Sequence, residues 1–236
     1  MWSSLYSPCL LALQVSITLA NTEKVIFLGP PNINVPLDHP TIGDLHLDTL
    51  SPEHWSLRTH IRAEFPTNSS KYGHASWYLL DHLRAGQRYE VRVCWAATEP
   101  TSFRLEAYDL STTFETPELI TSLAKYSEGR QLENEPSSDS RRHSFQHSSD
   151  VSMLLLQVYA AADYYTMNKT LMTSVPPVFV DIILDPFIFN VLPRSLLPTV
   201  AYIILLAIGS WYSSKRISKW LEAIAQQPKD TVKKDK

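Results

Sequence analysis

The sequence predicts a mainly β protein, a β-sandwich-like domain followed by a single C-terminal transmembrane helix. Three observations carry that expectation. The stretch QRYEVRVCWAA alternates cleanly, with Tyr89, Val91, Val93 and Trp95 on one side and Glu90, Arg92 and Cys94 on the other. Such a two-residue period marks a half-buried strand. Short apolar runs recur through residues 21–193, separated by Pro, Gly, Asn and Asp at sandwich-like intervals. Residues 196–212, LLPTVAYIILLAIGSWY, carry no charge. At about 1.5 Å rise per residue that run reaches roughly 25 Å, the short end of what crosses a hydrocarbon core.

At the amino end, an apolar run over residues 8–19 has Thr18 and Ala20 at small-residue positions. About a dozen apolar residues are too few to span a bilayer, so residues 1–20 read as a signal peptide cut after Ala20. A buried first strand and an uncleaved anchor are the alternatives. Residues 21–193 then offer KVIFLG, LHLDTL, SLRTHIRAEF, HASWYLL, QRYEVRVCWAA, SFRLEAYD, VSMLLLQVYAAA and VFVDIIL as strands, seven or eight in all. The turn TEPT between two of them predicts an antiparallel pair in which Phe103, Leu105 and Ala107 face together with their neighbour's apolar side. LHLDTL reads as a strand with His46 and Asp48 on a solvated face. Outside the membrane region, helix is expected only at TPELITSLAKY, capped by Thr116 and stopped by Gly129. Residues 127–150 are crowded with Ser, Glu, Arg and His and hold almost no aliphatic side chain. They cannot bury enough apolar surface to offset ordering, and read as a disordered insertion.

Charge orients the span. Lys215, Arg216, Lys219, Lys229, Lys233, Lys234 and Lys236 follow it, while only Arg194 closely precedes it. Basic residues favour the cytoplasmic side, so residues 213–236 become a cytosolic tail and the body lies in the lumen. Trp211 and Tyr212 suit a membrane interface. In that tail Ile217, Trp220, Leu221 and Ile224 share a helical face, either a surface helix or a continuation of the span. The terminal TVKKDK places Lys233 and Lys234 as a dilysine address for retrieval to the endoplasmic reticulum by a coat receptor. A lumenal body makes acceptors of the sequons at Asn68 and Asn168. With Cys9 in the leader, Cys94 has no intrachain partner for a disulfide.

Catalytic signatures are thin. With six glycines there is no phosphate-binding loop, and no HExxH, GxSxG, CxxC or DxD pattern occurs. His143 and His147 have a helical i, i+4 spacing without supporting ligands, so neither a metal nor a cofactor is implied. A net charge of −3 with scattered Lys and Arg argues against nucleic acid as a partner. Before the span, VPPVFVDIILDPFIFNVLPRSLLP is apolar but broken by Asp181, Asp185 and prolines, as suits a last strand and a restricted stalk. Asp185, Pro186 and Pro193 are candidate partner contacts there.

KVIFLGPP after the leader, YEVRVCWAATEPTSFRL, ILDPFIFNVLPRSLLPT and the lone span together resemble the fungal lumenal co-activator subunits of GPI mannosyltransferase II. The resemblance covers most of the chain except residues 127–150. It implies a noncatalytic partner of a multispan mannosyltransferase of the endoplasmic reticulum membrane that adds the second mannose to the GPI precursor. It brings no catalytic residues. A lumenal cargo receptor of the p24 kind is the alternative, though such proteins ordinarily add a coiled coil and a disulfide; an independent enzyme is a third reading.

Overall fold

The computed structural model describes residues 21–33, 41–133 and 152–225. The chain divides into two units, one ending at Pro186 and the other beginning at Phe187. In the first, two sheets pack face to face. Sheet one runs β1 (Thr22–Leu28), β5 (Arg88–Trp95), β8 (Val178–Ile188) and β3 (Ser56–Ile61), with antiparallel pairing throughout. Sheet two runs β2 (Asp48–Leu50), β4 (His74–Leu83), β7 (Ser152–Ala162) and β6 (Thr101–Tyr108), and only β2 joins in parallel. A ninth strand, β9 (Leu192–Pro193), pairs with the end of β8 in the second unit.

The alternation of β5 is realised as expected. Tyr89, Val91 and Val93 are fully buried, and they join Val180, Ile182 and Leu184 of β8 against Tyr78, Leu80, Leu154, Leu156 and Val158 of sheet two. Burying each such side chain contributes about 1.5–3 kcal/mol, so this inner layer is the main source of stability.

The central strands β4 and β7 of sheet two are buried on both faces, which explains the largely apolar run of β7, interrupted only by Gln157 and Tyr159. Its second face lies beneath two helices, α1 (Leu110–Glu115) and α2 (Pro117–Glu133), where Trp77, Leu79, Met153 and Leu155 surround Leu123. Polar ties hold α2 in place. The Ser122 hydroxyl accepts from Trp77 Nε1 at 3.1 Å and from Gln157 Nε2 at 3.2 Å. The Arg130 guanidinium donates to both oxygens of Asp48 at 2.9 and 3.0 Å.

Three expectations are corrected. Strands β5 and β6 do not pair, because β1 occupies one edge of β5 at Val25↔Val91 and β8 the other at Val91↔Leu184. The connection instead arches from one sheet to the other, and the rings of Trp95 and Phe103 meet 4.6 Å apart. LHLDTL is not one strand. A 3-10 turn over Ile42–Leu45 ends at His46, whose φ of 52° is left-handed, and extended pairing starts only at Asp48. Asp48 is tied to Arg130 rather than left on a solvated edge. Finally, α2 passes through Gly129 to Glu133, so the first seven residues of the expected insertion are helical. Leu123 and Ser127 are buried in that helix, and Arg130 anchors its last turn, so tertiary contact outweighs the poor local propensity. The rest of the insertion, with His143 and His147, lies outside the described residues.

One motif glycine has a steric reason. A Cβ at Gly29 would overlap the backbone carbonyl of Arg84, and the two segments are held together by Gly29 N–H donating to Gln87 O and Gly86 N–H to Gly29 O, both at 2.8 Å. Gly129 is the opposite case, since an added methyl there meets open space within a helix. Gly29→Ala is expected to lower stability by about 1–3 kcal/mol, whereas Gly129→Ala raises it by about 1 kcal/mol. Opposite shifts of the thermal unfolding midpoint of the full-length protein in detergent check this.

Candidate interaction site

The outward face of sheet one carries a cluster of charged side chains. Register places Ile26, Glu90 and Asp185 in one row, Lys24, Arg92 and Ile183 in the next, and Thr22, Cys94, Asp181 and Arg58 in a third. Lys24 Nζ lies 3.1 Å from Glu90, while the Arg92 guanidinium lies 3.7 Å from Glu90 and 3.9 Å from Asp185. Glu90 and Asp185 are only 4% and 5% exposed although they point away from the sandwich core. Arg92 sits between these two enclosed carboxylates.

Along the same face, Arg58 donates from Nε and a terminal nitrogen to the two Asp181 oxygens at 2.7 and 3.0 Å. That fork holds the Asp181 carboxyl below its ordinary value, the hydrogen bond from Arg58 being the main cause, with burial opposing it and the Arg58 charge adding to it. Phe179 completes the group, with Arg58 5.7 Å above its ring and the His60 ring 5.0 Å away. Ile26, Leu28, Trp55 and Phe179 are exposed apolar side chains on or beside this sheet. Ion pairs among exposed apolar groups suit recognition of another surface.

The expected site residues fall into separate places. Asp185 lies in the enclosed charge row. Pro186, its neighbour in β8, is registered against Tyr89. Leu184 N–H donates to Trp55 O at 2.7 Å, so the residue two further on also aims its nitrogen toward β3, whose pairing has ended by then. A proline fits because no donor is wanted there. Pro193 belongs to β9, paired with Phe187 in the second unit.

Asn68 is exposed in the turn after β3, and Asn168 is exposed as the cap of a short helix, α3 (Lys169–Thr173), where its Oδ1 accepts from Thr170 N–H at 3.0 Å. Their two loops are neighbours. Ala162 N–H donates to Glu64 O at 3.1 Å, and Phe65 and Tyr164 make an edge contact at 5.2 Å. Strand β8 starts at this end of the sandwich and leaves it at the other. Lys233 and Lys234 lie outside the described residues. Cys94 is a free, half-buried thiol that accepts from the Thr22 hydroxyl at 3.6 Å.

Among the described residues no group of three or more His, Cys, Asp or Glu is placed to hold a metal. The enclosed charge row was missed in the sequence: Glu90 and Arg92 were placed on the outer face, but only register brings Lys24 and Asp185 to them. In the second unit, helix α4 (Leu197–Ala225) runs unbroken through the basic segment, with none of its residues buried. Ile217, Trp220, Leu221 and Ile224 thus belong to the same helix as the apolar run rather than to a separate surface helix. Lys215 Nζ stands 3.9 Å from the Trp211 ring centroid, the kind of pair found where a span meets water.

The fold is thus a β-sandwich with an ion-paired outer face, followed by one helix long and apolar enough to cross a membrane. The chain belongs to the GPI-mannosyltransferase II co-activator family (Pga1), whose model matches residues 11–217. No curated protein and no solved structure matches it.

The Arg58–Asp181 fork sets a pH response. A carboxyl held below its ordinary value in the folded state contributes stability above that value, and the contribution fades as pH falls through the lowered one. Asp181→Asn is therefore expected to flatten the decline of the unfolding midpoint in acid below about pH 4, with little change at pH 7 in how the midpoint varies with pH. A titration of both proteins by circular dichroism measures it.

Proposed function

We propose that this protein is a noncatalytic subunit that stabilises or activates GPI mannosyltransferase II in the endoplasmic reticulum membrane, where the second mannose joins the GPI precursor. The observation that carries this reading is the family match over residues 11–217, which takes in the sandwich and most of α4. A co-activator needs a surface and a tether more than a reaction centre. The ion-paired face of sheet one supplies the surface, with Asp185, Pro186 and Pro193 marking the route from it toward the helix. The partner is a multispan catalytic subunit, met in the membrane by α4. No cofactor enters this role.

The chain is oriented as a single-pass type I protein. Lys215, Arg216 and Lys219 on the far part of α4 support a cytosolic end, and the dilysine at Lys233 and Lys234 then serves a coat receptor. Both sequons are exposed on neighbouring loops of the sandwich, which suits glycan attachment.

Purification of the full-length chain in mild detergent is expected to recover a multispan mannosyltransferase with it, and exchange of residues 197–212 for an unrelated apolar span to weaken that recovery. Isolation of the chain alone contradicts the reading. In a separate experiment, glycosidase treatment is expected to increase gel mobility, an effect removed by Asn68→Gln with Asn168→Gln. Lys233→Ser with Lys234→Ser should let the glycans acquire Golgi processing; unchanged glycans in that variant would remove the retrieval role.

A further inference from the structure

The hairpin that leads into α4 ends in an apolar tip held in an uncomfortable backbone conformation. Val191 N–H donates to Ile188 O at 3.1 Å, and Phe189 and Asn190 between them have φ of 51° and 58°. A three-residue loop, 189–191, thus joins the pairs Phe187↔Pro193 and Ile188↔Leu192, and its first two residues are both left-handed. Asn tolerates the left-handed region, but a phenylalanine there crowds its own backbone. Turn chemistry alone would choose Asn, Asp or Gly at position 189. The ring also contributes nothing to a core, since Phe189 is 94% exposed and Val191 is 78% exposed.

Position along the chain says what such a ring is for. Between Asp185 and Arg194 no residue is charged, and only the 3-10 turn Arg194–Leu196 separates the hairpin from α4. Three residues reach at most about 11 Å even when extended, and the tightened turn shortens that reach. The headgroup layer on each side of a bilayer is about 5–8 Å deep. The base of the hairpin is thus kept beside the membrane, with Arg194 placed to meet lipid phosphates.

We propose that the tip formed by residues 189–191 enters the interfacial layer of the bilayer on the β-domain side of α4, as an apolar wedge that sets the height of the chain where it leaves the membrane. This rests on the reading of α4 as a membrane span. The bilayer is favoured over a partner polypeptide as occupant because covalent attachment already brings the tip to it. In addition, Asn190 is the tip's lone side chain able to make the directed hydrogen bonds on which specific protein contact relies. Exposed phenylalanine and valine gain from any apolar phase, whatever its shape.

The test uses the full-length chain with Cys9→Ala and Cys94→Ala, reconstituted in phosphatidylcholine nanodiscs. A nitroxide is attached in turn at Phe189→Cys, Leu205→Cys and Asn68→Cys, and its collision rates with oxygen and with a water-soluble nickel chelate are compared. Oxygen should dominate at 205 and nickel at 68, with 189 on the oxygen side and shallower than 205. Nickel-dominated collisions at 189, or shielding from both agents as inside a protein contact, overturn the wedge while the span at 205 stands. Nickel-dominated collisions at 205 overturn the span, and the wedge with it. A second variant separates the ring from the turn. Phe189→Asn relieves the backbone, so the unfolding midpoint should hold or rise, yet a label at Val191→Cys should move toward the aqueous reagent. A label at 191 that keeps its lipid signature without Phe189 also overturns the role of the ring.

Discussion

Strand β8 is the constraint on which the molecule depends, because it must be a central strand and also the exit to an apolar helix. As a central strand it is paired with β5 on one side and β3 on the other, and its inward Val180, Ile182 and Leu184 are fully enclosed or nearly so. A strand so engaged cannot simply turn into the next element, since every freed donor would need a new partner. The sequence meets this at Asp185 and Pro186. Ser51, Pro52, Glu53 and His54 bend away before β3 starts, and Ser51 N–H bonds His54 O at 3.1 Å instead of extending the ladder. Proline stands where β8 would otherwise present a nitrogen to that gap. Asp185, one residue earlier, aims outward into the charge row. The Asp185–Pro186 pair therefore has a backbone explanation as well as any role in binding, and substitutions there will mix the two effects.

How far the sequence was legible follows from what periodicity encodes. Alternation reports which side of a strand is greasy, and it placed Tyr89, Val91, Val93, Phe103 and Leu105 correctly in the core. It does not report which strand lies alongside. A short turn such as TEPT suggested a hairpin, yet the same few residues serve as an arch when both edges of β5 are already taken by β1 and β8. Sheet two shows a related limit. Its strand β7 is apolar on both faces because a helix covers one of them, and that helix contains a glycine and a polar run that local propensity would reject. The ties that hold it, Arg130 to Asp48 and Ser122 to Trp77 and Gln157, join residues 35–82 positions apart in the chain. No local pattern announces such pairs. The charge row was partly visible for the same reason: the outer face of β5 could be named, but its neighbours could not.

The two units draw stability from different sources, and this bears on what a co-activator family needs. The sandwich closes its own core between its two sheets and beneath its helices. Helix α4 has no buried residue, so its apolar side chains are satisfied only by a bilayer or by other helices. A defect in the first unit, such as a clash at Gly29, removes the protein from the cell by unfolding it. A defect confined to α4 leaves a folded domain that has lost its place. Mutations of the two kinds can give the same loss of mannosyltransferase activity, and the abundance of the folded chain tells them apart. The outer face of sheet one belongs to neither class, since exposed ion pairs such as Arg58 with Asp181 add little to stability at neutral pH. A substitution there that leaves abundance and membrane attachment intact, yet weakens the enzyme, would identify that face as the surface through which the partner is stabilised.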